Sequence, residues 1–66
     1  MRLSKYVKQY RLSHNMTQEE FAKKSELTQT QVSLIESDEL PVGFKLVKKL
    51  ADALELTEEK VREMLW

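Results

Sequence analysis

The chain contains no cysteine and a single histidine among its 66 residues. The lack of cysteine excludes disulfides and thiolate chemistry, and one histidine cannot form a His/Cys metal cluster. One glycine, one proline and 33% charged residues are typical of a compact helical chain rather than a disordered one. No stretch resembles a signal peptide or a membrane span. These absences fit a cytoplasmic protein and indicate no metal, cofactor, small-molecule ligand or membrane partner.

The net charge of the chain is zero, but the charge is unevenly distributed. Residues 1–50 hold nine Lys and Arg against six Asp and Glu, a balance of +3, whereas residues 51–66 hold two against five, a balance of −3. Neutrality argues against strong nonspecific affinity for DNA, because that affinity comes from phosphate contacts. The positive N-terminal part weakens this objection. The sequence shows no recognisable nucleophile–base set, so we predict no enzyme activity.

Residues 17–37 organise the rest of the chain. The tetrapeptide T-Q-E-E begins with Thr17 and T-Q-T-Q begins with Thr28, and each is a capping box that predicts the N-terminus of a helix. Only residues 25–27 lie between the two predicted helices, which is too few for a free loop. The two helices must therefore cross at a steep angle.

The two faces of the second of these helices differ in chemistry. Val32 and Ile35 fall on one side and predict its buried face. The opposite face carries Gln29, Thr30 and Ser33 and no charged residue. Exposed helical faces are usually rich in Lys and Glu, whereas amide and hydroxyl groups both donate and accept hydrogen bonds, as reading base edges requires.

Periodicity and capping residues predict five helices. Asn15 ends the first at a position suited to the left-handed conformation, while Gly43 and Thr57 precede the fourth and the fifth. The predicted ranges are about 3–14, 18–24, 29–37, 44–54 and 58 onward.

The motifs resemble the helix-turn-helix of the phage Cro/cI repressor-type family, also called the xenobiotic-response-element class. The similarity is carried by T-Q-E-E-F-A at 17–22 and by T-Q-x-x-V-x-x-I at 28–35. Arg11 stands six residues before the first capping threonine, where the family places an arginine that pairs with the glutamate matching Glu36. Ala51 also keeps the family's downstream spacing. The resemblance thus implies a partly buried Arg11–Glu36 pair, whereas a lone arginine would otherwise be a solvated surface charge.

The similarity covers roughly residues 3–61 and implies the architecture. We expect an all-α, compact five-helix, lambda-repressor-like DNA-binding domain over 1–66, with the helix-turn-helix formed by helices 2 and 3 at about 17–37. The C-terminal helix, about 58–66, is a candidate for dimerisation. Met1 is taken as a native start, with the alternative that the chain is the N-terminal part of a larger regulator.

Four turn positions depart from the family, which favours glycine there. A non-glycine residue held at positive φ costs on the order of 1 kcal/mol. We therefore expect stability to be limited at these turns. The four residues are Asn15, Glu26, Asp38 and Glu55.

The resemblance implies site residues on the two capped helices. Gln29 is expected to bond an adenine through its amide, unless it is simply a solvated surface residue. Leu34 is expected either to contact a thymine methyl or to be a core leucine. The predicted base contacts are Gln29, Thr30, Ser33 and Leu34. The predicted phosphate contacts are Thr17, Gln18, Thr28 and Ser37, although Thr17 also serves as a cap.

The chain ends in apolar residues that a small monomer would struggle to cover. Relatives dimerise and read two half-sites about one helical turn apart. We therefore expect a homodimer on an inverted-repeat operator, with the alternative that Trp66 folds onto its own core. The predicted interface residues are Met64, Leu65, Trp66, Leu40 and Phe44.

The function that the resemblance implies is that of a sequence-specific regulator of transcription. It would bind double-stranded DNA, most simply as a dimeric repressor encoded by a phage, a plasmid or a bacterial chromosome, and act in the cytoplasm. The alternative is a protein-interaction module, such as an antitoxin or antirepressor with the same fold. The neutral charge and the acidic residues 38–39 favour this alternative, and the uncharged polar helix face opposes it.

Overall fold

The computed structural model describes residues 1–65, and these residues form five α-helices and no strand. The helices pack into a body of 25 × 20 × 19 Å. Their bounds are α1 Leu3–Ser13, α2 Gln18–Ser25, α3 Gln29–Glu36, α4 Phe44–Leu54 and α5 Glu58–Glu63. The all-α five-helix prediction is therefore confirmed.

The predicted bounds of α1 to α4 differ from the observed ones by a single residue where they differ at all, whereas α5 ends at Glu63 rather than near residue 66. The first helix ends at Ser13 rather than His14, the second extends to Ser25, and the third ends at Glu36 rather than Ser37. Each difference lies at a C-terminus, where the last turn loosens. The predicted range of α4 is confirmed at both ends.

Threonine side chains begin three of the helices. The Thr17 hydroxyl accepts from the Glu20 N–H at 3.1 Å, and the Glu20 carboxylate accepts from the Thr17 N–H at 2.8 Å. Thr28 and Gln31 form the same reciprocal pair at 3.1 and 2.9 Å. Both predicted capping boxes are thus confirmed. Each satisfies two N–H groups that the helix itself leaves without partners.

The first four helices end in one shared motif. After α2, for example, the Glu26 N–H donates to the Lys23 carbonyl at 3.3 Å and the Leu27 N–H to the Ala22 carbonyl at 2.9 Å. This pair of bonds is the Schellman arrangement, and it requires a left-handed residue. All four such residues lack the freedom of glycine. They are Asn15 at φ 55°, Glu26 at 59°, Asp38 at 64° and Glu55 at 60°. These are the four turn positions at which the resembled family favours glycine.

The core collects the inner faces of all five helices. Its largest fully buried side chains come one from each helix: Phe21, Leu50, Val7, Val32 and Val61. Burying a side chain of this kind contributes about 1.5–3 kcal/mol. The arrangement leaves α2 and α3 fixed against α1 and α4, and it determines which faces of the helix-turn-helix stay outside.

The residues predicted for the dimer surface lie in different surroundings where the structure describes them, and the surface itself stays a prediction. Met64 is a core residue with 6% of its surface exposed. Its carbonyl accepts from the Leu3 N–H at 2.7 Å, which closes the end of the chain onto the start of α1. Leu40 and Leu65 do line one common groove of about 450 Å³, but Phe44, although 77% exposed, lies outside that groove. Trp66 lies outside the described residues.

Replacing Glu55 with glycine should stabilise the protein. Its φ of 60° is strained for a side chain with a Cβ but not for glycine, so Glu55→Gly should add about 0.5–1 kcal/mol to the free energy of unfolding. Urea denaturation measures the change. The matched control is Lys48→Gly in the middle of α4, which should lower stability by about 1 kcal/mol. Destabilisation by both substitutions would show that the turn is not strained.

Candidate nucleic-acid interface

The corner between α2 and α3 is built from small and buried residues. Ala22 and Leu27 are buried, and Ser25 is the one buried polar residue among those described. The Ser25 hydroxyl donates back to the Phe21 carbonyl at 2.8 Å, so its polar group is satisfied within α2. With this inner side closed, α3 turns its polar face outward.

The outward side of α3 is an uncharged surface, which we call the reading face; it consists of Gln29, Thr30, Ser33 and Leu34. The first three side chains are exposed, and Leu34 is half-buried. Together with Gln18 of α2 they border one shallow open hollow. The structure therefore brings the four predicted base contacts together and places one predicted phosphate contact beside them.

The polar groups of the reading face are not used by the fold. Within residues 1–65, the side chains of Gln29, Thr30 and Ser33 make no hydrogen bond. Gln31, in contrast, is occupied by the Thr28 cap. Leu34 is half-buried but is not a core residue, since Val32 and Ile35 are the core residues of α3. Free amides and hydroxyls on an exposed helix are able to bond base edges.

The four residues predicted to contact phosphates differ in which of their hydrogen-bond donors are already used within the fold. Thr17 and Thr28 are exposed, but each N–H already donates to a side chain of its own helix. Gln18 is half-buried, and its Nε2 lies 3.4 Å from Oε1 of Glu36. The Ser37 hydroxyl donates to Oε2 of Glu39 at 2.8 Å.

An ion pair fixes α3 against α1. Arg11 Nε donates to Glu36 Oε2 at 2.9 Å and Arg11 Nη2 donates to Glu36 Oε1 at 3.1 Å, a bidentate arrangement. The side chains are only 12% and 6% exposed. Hydrogen bonding to Glu36 raises the pKa of Arg11 above its ordinary value, and this effect outweighs the opposing effect of burial. The pair that the family spacing implies is present.

Two polar contacts around the interface were not predicted. Gln18 approaches Glu36 and so links the start of α2 to the end of α3. Arg2 pairs with Asp38 at 2.9 Å, with both side chains about half exposed. Neither has a local signal in the sequence, because each joins residues far apart in the chain.

Residues 1–65 contain no group of three His, Cys, Asp or Glu side chains that could hold a metal ion. No helix of this part of the chain is both long enough and apolar enough to cross a membrane.

Comparison with known proteins defines the class. A family model described as Helix-turn-helix matches residues 7–61. The chain belongs to this family, of the Cro/cI type, and is a DNA-binding transcription regulator. The fold and the exposed polar face of α3 agree with that membership.

Solved structures with the same fold include a close counterpart in size. The chain is similar to the wild-type restriction-modification controller protein C.Esp1396I, with a TM-score of 0.74 and 35% sequence identity over 96% of this chain and 81% of that one. A point mutant of the same controller gives a TM-score of 0.74 and 35% identity over 96% and 82%. A comparison with curated protein sequences finds no match.

Removing Arg11 should destabilise the fold strongly. Arg11→Met leaves the buried Glu36 carboxylate without its cation, and we expect a loss of about 3 kcal/mol in the free energy of unfolding. The control is Arg2→Met, which removes the exposed Arg2–Asp38 pair and should cost less than about 1 kcal/mol. Urea denaturation of both variants makes the comparison. Similar losses for the two would mean that the buried pair does not hold α3 in place.

Proposed function

We propose that the protein is a sequence-specific repressor that inserts α3 into the major groove of its operator. The observation that carries this proposal is the reading face, which is exposed, uncharged and without hydrogen bonds to residues 1–65. Gln29 stands in the first turn of α3, the part of a recognition helix that contacts base edges. Its amide is suited to a bidentate bond with adenine, and Leu34 to contact with a thymine methyl.

The proposed phosphate contacts surround this face. Thr17 and Gln18 stand at the N-terminus of α2, and Thr28 stands at that of α3, where the helix dipole favours a negative group. Their hydroxyl and amide hydrogens remain the available donors, since the capping boxes occupy the Thr17 and Thr28 N–H groups. Ser37 completes the set at the opposite end of α3.

The same proposal requires two copies of the chain. A single small module makes few phosphate contacts, so a specific site is bound tightly only when two modules act together. The groove that contains Leu40 and Leu65 offers apolar surface for such a contact. A two-fold dimer would read an inverted repeat and exclude polymerase from an overlapping promoter.

The similarity to a restriction-modification controller protein supports one specific role, and this role should be tested first. That role is control of the genes of a restriction-modification system. A regulator of this kind acts where the DNA is, so we propose a cytoplasmic location in a bacterial cell.

Selection from a random duplex pool should recover related sequences. We expect enriched DNA to contain two inverted half-sites about one helical turn apart, because a two-fold dimer presents two copies of α3. Binding to random duplex should be weak and should fall further as salt rises. Sequencing of bound DNA and a salt titration are the measurements.

The interaction-module alternative makes the opposite prediction for the same experiment. The neutral charge and the acidic residues after α3 favour that alternative. If no duplex is enriched and no binding is measurable at low salt, the repressor proposal is wrong. Enrichment of single half-sites would instead contradict the dimer.

Gln29→Ala should weaken binding to the selected operator without affecting the fold. The loss of one bidentate base contact is expected to cost about 1–3 kcal/mol in binding free energy. The melting temperature should stay nearly unchanged, because the side chain is exposed. The matched control is Gln9→Ala on α1, an exposed glutamine away from the reading face, which should bind as the wild type does. A large fall in the melting temperature would assign Gln29 a structural role.

A further inference from the structure

A carboxylate stands at one end of the reading face. Gln29, Ser33 and Ser37 follow one another at intervals of four residues, and the Ser37 N–H still donates to the Ser33 carbonyl at 3.1 Å, so the three form one row. The Ser37 hydroxyl donates to Oε2 of Glu39 at 2.8 Å and also approaches the Leu34 carbonyl at 3.2 Å. A hydroxyl has one proton to donate, so this contact withholds it from an external acceptor.

The backbone fixes where Glu39 lies relative to α3. Asp38 has a φ of 64°, its N–H donates to the Ile35 carbonyl at 3.1 Å, and the Glu39 N–H donates to the Leu34 carbonyl at 2.8 Å. These bonds form the Schellman end of α3. The Cα of Glu39 is therefore held beside the last turn, and only side-chain rotation is needed to reach Ser37.

Glu39 also keeps its charge uncompensated in the described part of the chain. Its side chain is exposed, and none of the ion pairs formed among residues 1–65 includes it. The neighbouring Asp38 differs, because it pairs with Arg2 at 2.9 Å. Of the two acidic residues after α3, Glu39 is thus the one that presents an unpaired negative charge near the row.

We propose that Glu39 is an intramolecular substitute for a DNA phosphate and restrains binding. The carboxylate oxygen that accepts a hydrogen bond from the Ser37 hydroxyl occupies the place that a phosphate oxygen would take. Docking of a duplex breaks this contact and brings two negative groups together. The proposal rests on the proposed function, because it concerns the same surface. Phosphates carry no sequence information, so the restraint lowers affinity for all duplexes alike and leaves the preferred sequence unchanged.

The test is a double-mutant cycle on duplex binding with Glu39→Ala, Ser37→Ala and the double variant. Glu39→Ala should tighten binding about three- to tenfold on both the selected operator and a random duplex at about 0.1 M salt, by removing repulsion and releasing Ser37. Ser37→Ala alone should change affinity less than about twofold, since the Ser37 hydroxyl already donates its hydrogen bond to Glu39. In the Glu39→Ala background, the same Ser37→Ala change should weaken binding about threefold or more.

Two controls separate this mechanism from general effects. Glu59→Ala on α5 makes the same change in net charge away from the reading face, and it should alter affinity less than about twofold. A gain equal to that of Glu39→Ala would overturn the proposal, as would equal effects of Ser37→Ala in the two backgrounds. If wild type and all variants bind no duplex, the proposed function fails and the restraint with it. If wild type binds and Glu39→Ala does not tighten binding, only the restraint fails.

Discussion

The buried pair of Arg11 and Glu36 is the interaction on which the placement of α3 depends. It joins residues 25 positions apart and ties the last turn of α3 to α1. Burying two charges this deeply loses much of their hydration free energy. A pair of this kind is therefore stronger evidence for the registry of the helices than for net stability. Arg11 also donates to the Met16 carbonyl at 3.0 Å, so the same guanidinium fixes the turn that leads into α2. One side chain thus sets the positions of both helices of the motif.

The ends of the first four helices carry backbone strain that the packing has to offset. Four left-handed turns carry side chains where glycine would be unstrained, each at a cost of about 1 kcal/mol. At three of these turns the Schellman motif buries or half-buries the residue that follows, namely Met16, Leu27 and Leu56, whereas Glu39 after Asp38 is exposed. Small domains have little stability to lose. Three of the four turns are therefore determined by the packing of the next residue and not by the preference of the residue at the turn.

Local signals made much of the structure predictable. The capping threonines Thr17 and Thr28 predicted the starts of α2 and α3. The helical spacing of Val32 and Ile35 distinguished the apolar side of α3 from its polar side. Contacts between distant residues could not be predicted in this way. Met64 was predicted to lie on a dimer surface because its neighbours are apolar, whereas its side chain is buried in the core and its carbonyl accepts from the Leu3 N–H. The Arg11–Glu36 pair was anticipated only through the family's spacing, since nothing in either residue's surroundings marks it.

The charge pattern around α3 lowers affinity and leaves selectivity to the base-edge contacts under the proposed function. Base-edge bonds distinguish sequences, whereas phosphate contacts raise affinity for every duplex equally. This chain offers uncharged donors and acceptors on the reading face, places Glu39 beside it, and has no net charge. A monomer built this way gains little from random DNA, and because phosphate repulsion weakens operator and nonspecific binding by the same factor, the ratio between them is kept while both weaken. In the proposed dimer the lost affinity is recovered by joining two reading faces, because a second half-site adds its binding energy without a second full loss of rotational and translational freedom.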